Sequence, residues 1–378
     1  MTSPGFEAGA RAAGAVAFAV DQTLDSIKFD GDISIFGLND PSPGLEKFIE
    51  RLGPVDQTGI RRAMEGDFLD LRMRLIGDDK SVTYMRLRGR RVEGGRFEGL
   101  MMPAGNIANG GHGRIQEEHA LAKGVAAGEV LAWYQPIIAL DTGRLAGFEA
   151  LARWERPGMG VISPDDFLGM ADDLDLLAQI SREVRANAAA DLSSWRAASD
   201  AGADLFVAAN ATVSELVSPG FAPSLLDVID RAKLPAGVFK LEIAETEIMR
   251  DPERAAEAMA ALSSGGVALA LDDFGTGYSS LARLEMLPFD VVKIDRYFVR
   301  AMAANESAGT VVQSVIQLAS HFGMKVVAEG VEDAQTAEQL KGMGCDFAQG
   351  FRFAGALPPP AAARVVNEGI AGRFKPAN

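Results

Sequence analysis

The sequence predicts an α/β chain: a (β/α)8 barrel whose first strand runs antiparallel to its second, preceded by a small α+β domain. Three observations carry this reading. After Glu129, eight short apolar runs alternate with longer amphipathic stretches, the pattern of strands and helices wound into a barrel. Only residues 141–144 (DTGR) separate the first two of those runs, whereas a parallel crossover needs a dozen residues or more, so those two strands must be antiparallel. The chain has 378 residues, and a barrel of roughly 250 leaves room for one more small domain.

The elements follow in order. Residues 26–36 (SIKFDGDISIF) read as two short strands around Asp30-Gly31, a hairpin signal. Residues 45–52 and 59–64 read as helical, and 68–76, 81–88 and 96–102 as further strands parted by Gly77-Asp78-Asp79 and Gly94-Gly95. Together they make a small domain ending in an antiparallel meander. The chain then divides at residues 106–113 (NIANGGHG), a stretch of linker composition. Residues 114–129 (RIQEEHALAKGVAAGE) are rich in helix formers and suit either a signalling helix or a plain spacer. Barrel strands are expected at 133–140, 145–153, 205–212, 239–245, 267–274, 291–295, 326–331 and 347–351, with helices such as 175–198 and 305–322 between them.

Composition narrows the function. Apolar residues at 48% and charged residues at 24% are globular values. The apolar run 12–20 (AAGAVAFAV) has nine residues; a membrane helix needs about 20, and no basic region precedes the run to make a signal peptide. We therefore expect no membrane span and a cytoplasmic location. A net charge of −15 argues against a nucleic-acid polymer as partner, because neutralising phosphates takes an excess of Lys and Arg. A small anionic ligand is compatible with that charge if cations offset it. The single cysteine, Cys345, excludes a disulfide framework. The three histidines, His112, His119 and His321, lack zinc-motif spacing, and none precedes residue 112 to ligate haem in the first half. Any metal must be held by oxygen, which favours Mg²⁺ or Mn²⁺.

Polar residues stand where barrel strands should be apolar. Glu149 ends GFEA, Asn210 interrupts FVAANAT, Glu242 sits in FKLEIAE, Asp272 and Asp273 follow VALAL, Lys293 and Asp295 end VVKID, Glu329 follows VVA, and Gln349 lies in the last strand. Each falls towards the C-terminal end of its strand, where barrel active sites are built. Two carboxylates 4 Å apart repel by about 4 kcal/mol at an effective dielectric of 20. One lysine cannot offset five converging acids, but one or two divalent cations would reverse the sign of the arrangement. A pair of ions about 3.5–4 Å apart is a common device for phosphodiester hydrolysis. The competing reading, strand-end acids satisfied singly by salt bridges and amides, weakens as the set grows.

The run Glu149-Ala150-Leu151-Ala152-Arg153-Trp154 (EALARW), followed in order by VAANAT, LEIAETE, LALDDFGTGYSSLARLEMLPFDVVKIDRYFV, VVAEGVE and GCDFAQGFRF, resembles the EAL domain, the cyclic-di-GMP-specific phosphodiesterase family, over residues 129–366. The resemblance implies a TIM-like barrel with an antiparallel first strand, hydrolysis of cyclic di-GMP to linear pGpG, two Mg²⁺ or Mn²⁺ ions and a homodimer. By position, Glu149, Asn210, Glu242 and Asp272 match the ligands of a first metal, and Asp272 would bridge to a second with Asp273. Glu329 matches a general base, or a ligand in the two-metal description, and Lys293 would orient the attacking water and bind the scissile phosphate. Gln135, Leu151, Arg153, Asp295 and Gln349 match substrate-contacting positions, Gln349 near the attacking water. Glu245 and Glu332 match supporting acids, Glu245 steadying the loop 272–281 that in the family couples dimerisation to metal binding.

Departures from the family pattern are Ala152, Ala244 and the stretch GFRFAGALPPP, none at a ligand position. The family's second messenger governs motility and biofilm choices in bacteria. Two further functions stand beside hydrolysis: a receptor that binds cyclic di-GMP without turning it over, and a scaffold whose barrel mainly dimerises. Synthesis is set aside, since the chain has no GGDEF-like run. Residues 71–106 (LRMRLIGDDKSVTYMRLRGRRVEGGRFEGLMMPAGN) resemble the last three strands of a PAS sensor domain, with a generic dimerisation domain as the alternative. The expected division is a PAS-like domain at 1–108, a linker helix at 109–128, the EAL barrel at 129–366 and a tail at 367–378. A regulatory ligand or protein would act at the first of these.

Overall fold

A computed structural model of the chain describes residues 15–78, 80–92, 94–104, 111–198, 202–248, 252–274, 287–302 and 305–368. It divides into two compact units, Met1–Gly128 with Asp165–Leu177, and Glu129–Pro164 with Ala178–Asn378.

The first unit is built on an antiparallel sheet of β1 (Val16–Asp21), β2 (Ser26–Asp30), β3 (Phe68–Ile76), β4 (Val82–Arg91) and β5 (Phe97–Pro103), ordered β2-β1-β5-β4-β3. Alternate residues face one side, so Val16, Phe18, Val20, Ile27, Phe29, Leu69, Met73, Leu75, Met85 and Leu87 form one core. The helices α1 (Leu45–Ile49) and α2 (Pro54–Ala63) close it with Phe48, Ile49 and Ile60.

The expected hairpin around Asp30-Gly31 is corrected. Residues Ile33–Phe36 form one turn of 3₁₀ helix, not a strand. Asp32 caps it, its side chain accepting from the Ser34 amide at 3.0 Å, and Gly37 closes it in the left-handed region at φ 71°. Ile33 and Phe36, three residues apart, both reach the core, which an alternating reading of the sequence mistakes for a strand. The real hairpin joins β1 to β2, turned by Asp21, which accepts from the amides of Thr23 and Leu24.

Two more helices, α3 (Gly111–Ala126) and α4 (Pro164–Asp173), belong to this unit. Arg74 of β3 forks onto Glu118 of α3 with two hydrogen bonds of 3.0 Å and donates from Nε to Asp56 of α2 at 2.7 Å. Arg114 completes the set, donating to Glu118 at 3.0 Å and to Asp173 of α4 at 2.9 Å. Thus α3 is bound to β3 and α2 by a buried ion cluster rather than lying bare. Residues 106–110 of the glycine-rich stretch and the expected tail beyond 368 lie outside the described residues.

The second unit is the barrel. Its strands are β6 (Val130–Ala139), β7 (Leu145–Arg156), β8 (Gly160–Ile162), β9 (Phe206–Asn210), β10 (Phe239–Ala244), β11 (Ala268–Phe274), β12 (Val291–Ile294), β13 (Lys325–Ala328) and β14 (Phe347–Gln349). The order β6-β14-β13-β12-β11-β10-β9-β7, with β7 pairing back onto β6, closes a ring of eight strands among the described residues. β8 adds a short antiparallel edge on β7. β6 runs antiparallel to both its neighbours, as the four-residue gap after it requires, and the other ring pairs are parallel. Around the ring lie α5 (Leu177–Ala198), α6 (Val213–Leu216), α7 (Phe221–Arg231), α8 (Glu245–Ile248), α9 (Pro252–Ser264), α10 (Arg296–Ala301), α11 (Glu306–His321), α12 (Ala334–Gly342) and α13 (Pro359–Glu368). None of the described helices is long and apolar enough to cross a membrane.

The barrel interior is layered. Ile137, Phe206, Ala270, Val291 and Val327 fill one level. Two residues further along, the same strand faces carry Asp272, Lys293 and Glu329. The period of two that buries the apolar layer thus delivers the polar one to the C-terminal mouth.

Candidate metal centre

Lys293 on β12 is the hub, its side chain almost wholly buried. Its Nζ lies 2.7 Å from Glu329 Oε1, 3.0 Å from Glu242 Oε2, 3.2 Å from Asp272 Oδ1 and 3.5 Å from Glu149 Oε2. Those acids come from β7, β10, β11 and the end of β13, so the ring itself sets their convergence. Gln349 on β14 donates to Glu149 Oε2 and, at 3.2 Å, to Gln135 Oε1 on β6. Gln135 in turn donates to the Ala354 carbonyl at 3.1 Å. Asn210 reaches Glu149 Oε1 with its carboxamide at 3.4 Å. Gly350 lets β13 and β14 end side by side: a Cβ there would sit 2.2 Å from the Val331 carbonyl oxygen.

Four carboxylates face one ammonium, and the shifts of Glu242, Glu329 and Lys293 show the strain. Burial pushes the Glu242 carboxyl well above the carboxylate range, and the Glu149 charge adds to the push while Lys293 opposes it. Burial also lifts Glu329, to about 7, against the pull of Lys293 and with Asp272 and Glu149 adding to the rise. For Lys293, burial alone would favour the neutral amine; the charges of Asp272, Glu149, Glu242 and Glu329 reverse that and hold the proton more tightly than in water. Asp273 is raised by burial and by the neighbouring charges of Asp272 and Asp295. It also sits in the left-handed backbone region at φ 56°, a conformation uncommon outside glycine.

Among the described residues, two buried side-chain atoms make no hydrogen bond. Glu242 Oε2 makes no hydrogen bond, although Lys293 is close, and Gln349 Oε1 has no hydrogen-bond partner among the described residues. Oxygens of Asp272, Asp273 and Glu329 lie within 4.8 Å of one another, a span one divalent ion can bridge. Excess negative charge, a buried carboxylate oxygen that is ion-paired but makes no hydrogen bond, and an all-oxygen donor set fit a hard divalent cation.

Of the other residues expected from the sequence, Leu151 and Arg153 share the β7 face of Glu149 by the strand period of two. Arg153 donates to the Ala152 carbonyl at 2.8 Å. Asp295 caps α10, accepting from the Tyr297 amide at 2.8 Å, and lies beside Asp273. Glu245 is buried at the start of α8, directly after β10. The loop it is expected to steady lies, from residue 275 to 281, outside the described residues. Glu332 forms an exposed pair with Arg300. Sequence reasoning passes over Arg185, a buried arginine of α5 whose Nη1 donates to the Asn210 carbonyl at 2.9 Å. Its signal was its spacing from Ile180, Val184, Ala188, Ala189, Leu192 and Trp195, the otherwise apolar buried face of that helix.

A family model described as EAL domain matches residues 118–356. An uncharacterized protein of Synechocystis sp. is 34% identical over 261 residues, covering 69% of this chain and 37% of that protein. An uncharacterized protein of Mycobacterium tuberculosis is 35% identical over 281 residues, 69% of this chain and 90% of its own length. The chain thus spans well under half of the first of these relatives. Among solved structures, the PaMucR phosphodiesterase in complex with c-di-GMP superposes with a TM-score of 0.62 at 33% identity, over 65% of this chain and 99% of that one. The EAL domain of Mycobacterium smegmatis DcpA gives 0.55 at 33% identity, over 64% and 98%.

Proposed function

The chain belongs to the EAL domain family, and on that premise we propose that it hydrolyses one phosphodiester bond of cyclic di-GMP, releasing linear pGpG. The observation that carries the reading is the convergence of Glu149, Glu242, Asp272 and Glu329 on the single buried Lys293. Glu149, Asn210, Glu242 and Asp272 would hold a first Mg²⁺ or Mn²⁺, and Asp272, Asp273 and Glu329 a second. Bound there, two divalent ions would acidify a shared water and stabilise the oxygens that attack and leave in line.

The side chains of this chain supply the rest. Glu329 takes the proton that water gives up as its oxygen forms the new bond to phosphorus. Lys293 donates to a non-bridging oxygen of the scissile phosphate, steadying the charge that builds there. The bond from phosphorus to the 3′ oxygen breaks, and that oxygen leaves as a hydroxyl with a proton from solvent. Gln135, Leu151, Arg153, Asp295 and Gln349 would orient the dinucleotide at the mouth. The first unit would regulate the barrel as a PAS-like sensor in a homodimer; the sheet order β2-β1-β5-β4-β3 with α1 and α2 between β2 and β3 supports the PAS-like part of this reading.

The deciding experiment incubates the protein with cyclic di-GMP and Mg²⁺ and follows pGpG by chromatography. EDTA should abolish its formation and added Mn²⁺ restore it. Glu329→Ala should bind the dinucleotide and lose turnover. Hydrolysis that survives both treatments sinks the metal mechanism, and tight binding by the parent without pGpG makes the protein a receptor.

A further inference from the structure

We propose that Arg185 is a positioning residue for the metal centre, acting through Asn210. The inference deepens the hydrolase reading and rests on it. Asn210 is the last residue of β9. The β7–β9 ladder ends one step earlier, at Ala150 and Ala209, so the Asn210 carbonyl lies beyond the last paired residues of that ladder. Arg185 supplies a donor there, Nη1 to Asn210 O at 2.9 Å. The other side of the same peptide is held as well, because the Ala211 amide donates to the Glu242 carbonyl at 2.9 Å. The peptide after Asn210 is therefore gripped between helix α5 and strand β10, which carries another of the acids.

The guanidinium is itself fixed. Arg185 Nη2 donates to Glu215 Oε1 at 2.7 Å, and the Phe221 ring stacks 5.0 Å from the guanidinium carbon. Glu215 is locked in a capping box: its carboxylate accepts from the Thr212 amide while the Thr212 hydroxyl accepts from the Glu215 amide, each at 3.2 Å. So α6, which starts three residues after Asn210, and the carbonyl of Asn210 are tied to one planar fork. An arginine serving only to neutralise Glu215 would turn both donor edges to it. This one divides them, one edge to the carboxylate and one to the residue that presents a carboxamide to Glu149. The planar fork makes both bonds at once; a lysine ammonium cannot match that geometry.

The test measures Mn²⁺ binding to the full chain, with the metal alone, by the loss of the free-ion electron paramagnetic resonance signal. Arg185→Met should weaken Mn²⁺ binding by about ten- to a hundredfold, the effect expected of a residue that orients a ligand, and Arg185→Lys by less. The double variant Arg185→Met/Asn210→Ala should bind within about twofold of Asn210→Ala alone, since both act on one ligand. Unfolding in EDTA checks the fold. If Arg185→Met does not fold, Arg185→Met/Glu215→Leu, which strands no buried charge, carries the same expectations. Unchanged Mn²⁺ affinity in the folded variants, or losses that multiply in the double variant, overturn the proposal while leaving the metal centre intact. A parent protein that binds no Mn²⁺ removes the metal centre first and this inference with it.

Discussion

Each unit buries a cluster of charges, and the two clusters differ in one respect. In the first unit Arg74 and Arg114 face Asp56, Glu118 and Asp173, and both oxygens of the wholly buried Glu118 accept from guanidinium groups. At the barrel mouth one ammonium faces four carboxylates, and Glu242 Oε2 makes no hydrogen bond. The first cluster sets two guanidinium groups against three carboxylates, with Arg114 and Asp173 at its exposed edge, and its buried carboxylate is fully hydrogen-bonded. A cluster left strongly one-signed calls for cations to offset it. Burial and charge alone do not mark a site; the imbalance does.

The largest expected effect breaks the comparison at the barrel. Chelation with EDTA should abolish pGpG formation, and Glu329→Ala should lower the rate by about 10²–10⁴-fold with Mg²⁺ present, the usual share of a general base. Neither treatment should alter how the first unit melts. Next, Arg74→Met leaves the buried Glu118 with Arg114 alone and takes the guanidinium from Asp56, and should cost about 3–5 kcal/mol, the range for breaking one side of a buried pair, read by urea unfolding. That loss should be the same with Mg²⁺ and with EDTA, whereas a fall that Mg²⁺ repairs would show that the two clusters are not separate.

A third, smaller effect sharpens the contrast through pH. In the metal-free fold Glu242 and Glu329 hold protons more tightly than in the unfolded chain. The folded state then binds more protons than the unfolded one, so stability falls as pH rises from the ordinary range of Glu towards about 7, where Glu329 titrates. Asp56, also raised by burial, acts in the same direction in the first unit. It is common to both conditions, so it cancels in the difference. The proton held by Lys293 is lost only in alkali, above this window. A divalent cation must displace the protons of the acids it binds, so the melting temperature gained from Mg²⁺ should grow between pH 5 and 8. A gain that is flat across that interval would place Mg²⁺ elsewhere. The smallest effect is a control: Glu332→Gln removes an exposed pair with Arg300 and should change stability by at most about 1 kcal/mol.

The sequence made the barrel and its mouth legible because both follow from short-range rules. Strand period and a four-residue gap are local facts, and polar residues two steps beyond Ala270, Val291 and Val327 can be read one strand at a time. What stayed hidden depends on contacts distant in sequence. Ile33 and Phe36 look like a strand until Asp32 and Gly37 are seen to cap a single turn. Asp165–Leu177 lies within the barrel's stretch of sequence yet clusters with the first unit, and its pairing with Arg114 spans 59 residues. Arg185 looks like one more helix surface charge until its 5% exposure and its bond to Asn210 are known.

The unmatched charge at the barrel mouth should be a seat for divalent cations. Calorimetric titration of Mn²⁺ into the EDTA-treated, dialysed chain tests this most directly, paired with Asp272→Asn. Saturable binding with release of protons in the parent, lost or greatly weakened in Asp272→Asn, is the result expected. Absence of saturable binding, or binding indifferent to Asp272, would contradict it.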